Sequence, residues 1–168
     1  MRVLGVDPSL RKTGAAVIET DCRANSTFSL ITHECLIMPA SLKISDCLRR
    51  ISEGIQRIIE EFHPDSASLE SGFYAKNVKT AMVLGATRGV VIAVCAKCDV
   101  PVYEYSPRRI KQAVVGFGGA DKQQVCKMIV RLLNLQFEPG EDVADAMAAA
   151  ICHIHSSTGH AFFKPERI

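Results

Sequence analysis

Apolar and polar positions alternate along this chain in ways that mark its elements. "RVLGVDPS" (2–9) is an apolar run ending in Asp-Pro, which reads as a strand entering a turn. "TGAAVIET" (13–20) carries a small, β-branched pattern, and the polar cluster "DCRANS" (21–26) marks a turn. "TFSLITHECLIM" (27–38) alternates and predicts a third strand, so the first three strands form an antiparallel meander. Over 44–62, Ile44, Leu48, Ile51, Ile55, Ile58 and Ile59 fall at helical spacing and predict an amphipathic helix. "HPD" ends it, and "SASLES" is a short strand ending at Glu70. Residues 77–98 predict a second helix, apolar on most sides and therefore buried or at an interface. "VPVYEYS" is a strand, and "PRRIKQAVVGF" starts a short helix with Pro107 near its first turn. "GFGGA" reads as a flexible loop, Asp121 as the cap of a helix over 122–134, and "FEPGE" as a break before a last helix over 141–156.

This order predicts an α/β protein: a mixed sheet, part antiparallel and part parallel, with helices packed on it. A length of 168 residues suggests one domain, over 1–156, with 157–168 a polar, loose tail. The longest strongly apolar stretch, around Val90–Ala96, is too short and interrupted to span a membrane. The opening "MRVLGVDPSL" reaches an aspartate by residue 7 and has no signal-peptide pattern, which predicts a cytoplasmic protein without membrane association. Seven cysteines at irregular spacing suit a reducing compartment. Cys95 and Cys98 form a lone C-x-x-C inside a helical pattern, better read as small core residues than as a zinc site. His153 and His155 are two apart, face differently on a helix, and suit surface or packing roles.

Net charge is only +2, yet between Tyr105 and Arg131 stand Arg108, Arg109, Lys111, Lys122, Lys127 and Arg131 against the single acid Asp121. A solvated helix face explains that equally well as a surface for a polyanion. The acids shift the balance. "EDVADAMAAA" (141–150) opens an alanine-rich helix with Asp142 and Asp145 three apart, hence on one face. Asp7 ends the first strand and Glu70 the fourth, and strand ends are where α/β sheets place their sites. Each acid alone is at home in a turn or at a helix N-terminus. If strands one and four are neighbours and the last helix packs beside them, all four converge and need a cation. Mg²⁺ suits an all-oxygen site. Two such ions roughly 4 Å apart would activate a water and stabilise the leaving oxygen of a phosphodiester.

Four segments carry a family resemblance. "VLGVDPSLRKTG" (3–14), "LESGFYAKN" (69–77), "VVGFGGADKQQV" (114–125) and "DVADAMAAA" (142–150) resemble, in order and spacing, the motifs of the RuvC Holliday junction resolvases. The likeness runs from residue 2 to about 156. It implies a ribonuclease-H-like fold with a mixed five-stranded sheet flanked by helices. It also implies a homodimer in which each subunit cuts one of two opposed strands of a four-way DNA junction. By motif position Asp7, Glu70, Asp142 and Asp145 correspond to the catalytic, metal-holding acids, with two Mg²⁺ per site and Mn²⁺ able to substitute. Lys111 and Lys122 correspond to catalytic basic residues near the scissile phosphate. Phe73 corresponds to an aromatic that stacks on junction bases, where it can replace a lost base–base stack; a core phenylalanine is the competing, less favoured reading of that position. Lys76, Arg88 and Arg108 are further candidates for DNA contacts. The apolar helix 77–98 fits the family's dimer interface, and a RuvA–RuvB branch-migration complex is the implied partner.

This chain departs from the family pattern at Ser9, where glycine usually follows Asp-Pro, and at Ser71-Gly72, where a polar and then an aliphatic residue are more usual. The hairpin at 21–26 is a little longer than usual. Three other readings compete. A nuclease of RNA–DNA hybrids is disfavoured by "GFGGADK" and Phe73. An actin-like ATP-binding module would need a second phosphate hairpin and an adenosine loop, and 168 residues hold neither. A junction-binding scaffold without catalysis is opposed only by the retained acids.

Overall fold

The computed structural model describes residues 1–21, 27–71, 77–158 and 166–168. Strands β1 (Arg2–Asp7), β2 (Lys12–Thr20) and β3 (Phe28–Ile37) form the expected antiparallel meander. Helix α1 (Ile44–Phe62) leads to β4 (Ser66–Glu70), which lies parallel to β1 with Val6 opposite Leu69. Helix α2 (Val78–Lys97) leads to β5 (Val102–Tyr105), parallel to β4. Helices α3 (Pro107–Val115), α4 (Lys122–Leu132) and α5 (Glu141–Thr158) follow. Among the described residues the sheet holds the five expected strands and a sixth: residues Glu166–Arg167 of the tail, read from sequence as loose, form a short β6 antiparallel to β5. Two residues carry too little periodicity to be seen in a sequence. The order is β3-β2-β1-β4-β5-β6.

Both faces of the sheet are covered, so its central strands are buried on both sides. On one face Leu4, Val6, Ala15, Val17, Ala67 and Leu69 pack with Ile51, Ile55, Ile58 and Ile59 of α1 and with Val91, Val94 and Cys95 of α2. On the other, Val3, Ala16 and Ile18 meet α3, α4 and α5. Helix α5 is the innermost of these. Its Val143, Ala144, Ala146 and the run Met147–Ile154 are all buried. It sits so low that a Cβ on Gly5 would lie 1.9 Å from the Ala146 carbonyl oxygen, and one on Gly14 would lie 1.9 Å from that of Asp142. The buried Ser68 hydroxyl donates to the Ala149 carbonyl at 2.8 Å and ties the same helix to β4.

Helix α2 is not the buried core helix that its composition allows. Only Thr87, Val91, Val94 and Cys95 are buried, while Val78 is 76% and Met82 70% exposed. With 20 residues it is, by length and composition alone, long and apolar enough to cross a bilayer, contrary to the expectation from sequence. Its packing against α1 and the sheet, and the ion pair its Arg88 makes with Glu104 of β5, make it an element of the folded domain with one apolar face turned outward. Cys95 is buried there and Cys98 half-buried at its end, so the C-x-x-C serves packing.

The close seating of α5 yields a stability prediction. Gly5→Ala forces a methyl group into the Ala146 carbonyl, which something must move to relieve. The expected cost is about 3 kcal/mol or more, at the upper end of overpacking penalties. A urea midpoint unchanged from wild type would contradict this packing.

Candidate active site

The elements deliver the acids to one end of the sheet. Asp7 stands one residue past Val6 and Glu70 one past Leu69, so the parallel pairing of β1 with β4 sets them side by side. Asp142 and Asp145 lie in the first turns of α5, and the rest of Asp142's surroundings follow from its carbonyl resting on Gly14, the β2 partner of Asp7. Helices α3 and α4 bring the cations. Ser106 caps α3, accepting from the Arg109 amide at 3.2 Å. Asp121 caps α4 in a capping box with Gln124, as its sequence predicts. A cavity of about 270 Å³ opens between these elements, lined by Asp7, Glu70, Lys111, Lys122 and Asp145 over a floor that includes Ile110 and Val125. Asp142 does not line it.

The electrostatics fit a centre short of positive charge. Burial, and then the fields of Asp145, Glu70 and Asp142, push the Asp7 carboxyl up to about 7. Burial and Asp145 push Glu70 upward, against Lys111 and Lys122. Burial raises Asp145 too, partly offset by Lys122, whose Nζ lies 3.4 Å from Asp145 Oδ2. Lys122 is itself held charged more firmly, chiefly by Asp145. A second carboxylate, Glu141, stands 3.7 Å from the same ammonium. Sequence reasoning passed over Glu141, although its place four residues before Asp145 on the helix was the available signal.

These donors are all carboxylate oxygens on one cavity, the chemistry that a hard divalent cation takes. Among the described residues no three His, Cys, Asp or Glu side chains close around a single point. Mutual repulsion, with Asp145 turned to Lys122, accounts for that separation. The residues therefore fit a metal by type and field.

Other expected positions are placed as follows. Lys111 and Lys122 join the acids, and Arg108 is exposed on α3 one turn before Lys111. Arg88 does not line this cavity: its side chain is largely withdrawn from solvent and engaged with Glu104. Phe73 and Lys76 lie outside the described residues. His153 is buried with its Nδ1 2.7 Å from the Tyr105 hydroxyl, and burial pushes it down to about 4, so it packs as a neutral ring. His155 Nδ1 meets the Ala113 carbonyl at 2.9 Å. The turn at Ser9 is closed by Thr13, whose hydroxyl donates to the Ser9 carbonyl at 2.6 Å.

A mixed sheet of this order, with acids at the ends of its first and fourth strands and on the final helix, is the ribonuclease-H-like class. The chain belongs within it to the RuvC family: residues 3–153 match the family model "Crossover junction endodeoxyribonuclease RuvC". It is 42% identical over 158 residues to the crossover junction endodeoxyribonuclease RuvC of Clostridioides difficile, covering 94% of this chain and 92% of that one. It is 43% identical over 159 residues to that of Idiomarina loihiensis, covering 92% and 88%. The solved structure of Thermus thermophilus RuvC in complex with a Holliday junction substrate superposes with a TM-score of 0.91 at 25% identity, over 100% of this chain and 99% of that one.

Raised carboxyl pKa values make the metal-free protein sensitive to pH. A carboxyl whose folded pKa lies above its unfolded value near 4 costs nothing while protonated in both states; its penalty grows as pH rises from about 4 to about 7 and levels off above that. Wild type without metal is expected to lose about 2 kcal/mol between pH 5 and pH 8 from Asp7, allowing for solvent at the open cavity. Asp7→Asn removes most of that slope. Urea titrations in a chelator at both pH values check this, and equal slopes for the two proteins would refute it.

Proposed function

We propose that this protein is a structure-selective endonuclease that resolves four-way DNA junctions in recombination and repair. It would hydrolyse phosphodiesters in two opposed strands. The observation that carries the reading is the gathering of Asp7, Glu70 and Asp145, with Lys111 and Lys122, around one cavity in a chain of the RuvC family. The related Thermus protein was solved with a Holliday junction substrate, which supports the same substrate here.

Asp7, Glu70, Asp142 and Asp145 are the residues that would hold divalent cations, Mg²⁺ by preference, with Mn²⁺ able to substitute. Such ions, when bound, supply an activated water and neutralise charge at the phosphate. Lys122 has a distinct part. It now holds Asp145 and Glu141, and a phosphate entering the cavity offers it a competing partner. Lys111, which lines the same cavity, would supply a fixed cation that favours the developing charge of the pentacovalent phosphorus. Arg108 would track the strand through its backbone, which positions DNA without reading sequence. Phe73, by its place after Glu70 in sequence, is the residue that would stack on junction bases, with Lys76 beside it on the backbone. Arg88, held by Glu104, is better suited to fixing α2 on β5 than to touching DNA.

Paired cutting needs two copies. The outward face of α2 supports a homodimer: Val78 and Met82 are exposed, and nothing lies within 4 Å of where a Cβ would stand on Gly85 or Gly89, leaving room for a second helix. By the family reading a RuvA–RuvB branch-migration complex is the partner, and the cytoplasm the site of action.

The decisive experiment uses a synthetic four-way junction, end-labelled on each strand in turn. Wild type is expected to make symmetric paired nicks only with a divalent cation. Asp142→Asn should bind the junction but cut at least a hundredfold more slowly. Full activity in that variant, or preferential cutting of an RNA–DNA hybrid, would sink the reading. Met82→Glu places charges in the α2 face and is expected to sediment as a monomer and to lose paired nicking; a stable dimer would remove α2 as the interface.

A further inference from the structure

The loop between α3 and α4 displays a side chain that the mechanism leaves unused. Phe117 is 66% exposed, more than any other aromatic among the described residues. A phenylalanine held in water forgoes the stabilisation that burial would give it. The ring is nonetheless well placed. Gly116 ends α3 in a left-handed conformation, φ 86°, with its amide donating to the Gln112 carbonyl. The Ala120 amide donates to the Phe117 carbonyl at 3.2 Å, and Ala120 itself is buried. A Cβ on Gly119 would stand 2.6 Å from the Phe117 ring, and one on Gly118 would stand 2.6 Å from the Arg108 side chain. Ring and guanidinium stem thus rest on adjacent glycines of one turn.

The surroundings choose the ligand class. Between Met82 and Phe137 no other large hydrophobic side chain is exposed among the described residues. Phe117 is thus the single large hydrophobic exposed on α3, α4 or the turn that joins them, whereas a protein partner covers a patch of several. The same turn holds Arg108 against Gly118, next to the glycine that carries the ring, and the two helices it joins bear Lys111 and Lys122, which line the cavity of the acids. A lone aromatic face among cations matches a nucleic-acid strand, whose phosphates meet the cations while a base stacks on the ring. Arg108 and Lys111 are three residues apart on α3, about 4.5 Å of helix rise. Successive nucleotides of one strand are about 3.4 Å apart.

We propose that Phe117 is a positioning residue that stacks on a base of the cut strand one or two nucleotides from the scissile phosphate, holding the strand in register over the acids. This rests on the junction-nuclease reading above.

The test places 2-aminopurine, one position at a time, at the three nucleotides on either side of the cut in a four-way junction. Fluorescence is read on binding the full chain carrying Asp142→Asn. The chain with Phe117 is expected to quench the probe at one position. Adding Phe117→Ala should abolish that quench and weaken binding about tenfold, as loss of one base–aromatic stack does. Phe117→Trp should keep both, and Phe117→Leu, apolar but without a face, should restore neither. Because the ring is exposed, the urea midpoint should not move. A quench that survives in the alanine variant, or full rescue by leucine, overturns the proposal. Cutting by the chain with Asp142 intact is scored separately. No cutting of any junction overturns the nuclease reading and this proposal with it. Cutting alongside an unaltered quench overturns this proposal alone.

Discussion

The site depends on backbone meeting backbone. At two points helix α5 lies on β1 and β2 with no side chain between them, because Gly5 sits under the Ala146 carbonyl and Gly14 under that of Asp142. Alanines at 144, 146 and 148–150 continue the close approach along the helix, and the Ser68 hydroxyl fixes it against β4. Any bulk at these two glycines would lift the helix and carry Asp142 and Asp145 away from Asp7 and Glu70. Packing of an apolar kind thus determines the distances between charged groups.

Those charged groups oppose the packing that gathers them. Burial and mutual repulsion raise Asp7, Glu70 and Asp145 together, and Lys122 offsets only part of this. The sheet and α5 supply the stabilisation that keeps the acids close. The same strain favours any divalent cation that relieves it, so affinity for metal and instability without metal have one origin. Lys122 belongs to both states, since its present partners, Asp145 and Glu141, are carboxylates that a cation and a phosphate would compete to rearrange.

Much of this was legible in the sequence. An apolar run broken by Asp7, the strand ending in Glu70, and an alanine-rich helix headed by two aspartates each signal a local environment, and local environment is what periodicity reports. The Asp121 cap and the Ile51–Ile55–Ile58–Ile59 stripe were readable for the same reason. What escaped depends on partners distant in sequence. Gly5 looks like any glycine in a strand until Ala146 lies on it. Arg88 looks like a surface cation until Glu104 meets it. Strand β6 has two residues and exists only because β5 offers an edge. The exposure of α2 was undecidable because an all-round apolar helix reads alike in a core and at an interface. Phe117 was hidden within a motif whose glycines drew the attention.

The central place of β1, paired antiparallel to β2 and parallel to β4, has a temporal consequence. A ribosome delivers the meander and β4 first, so Asp7 and Glu70 can be neighbours after 70 residues have emerged. Their two partners arrive more than 70 residues later, on the helix that closes the other face. A nascent chain therefore carries half a centre, with one pair of acids and no cavity, for more than 70 of its 168 residues. An enzyme that would sever DNA acquires its cutting site in one of the last steps of folding, when the domain that restrains it is otherwise complete.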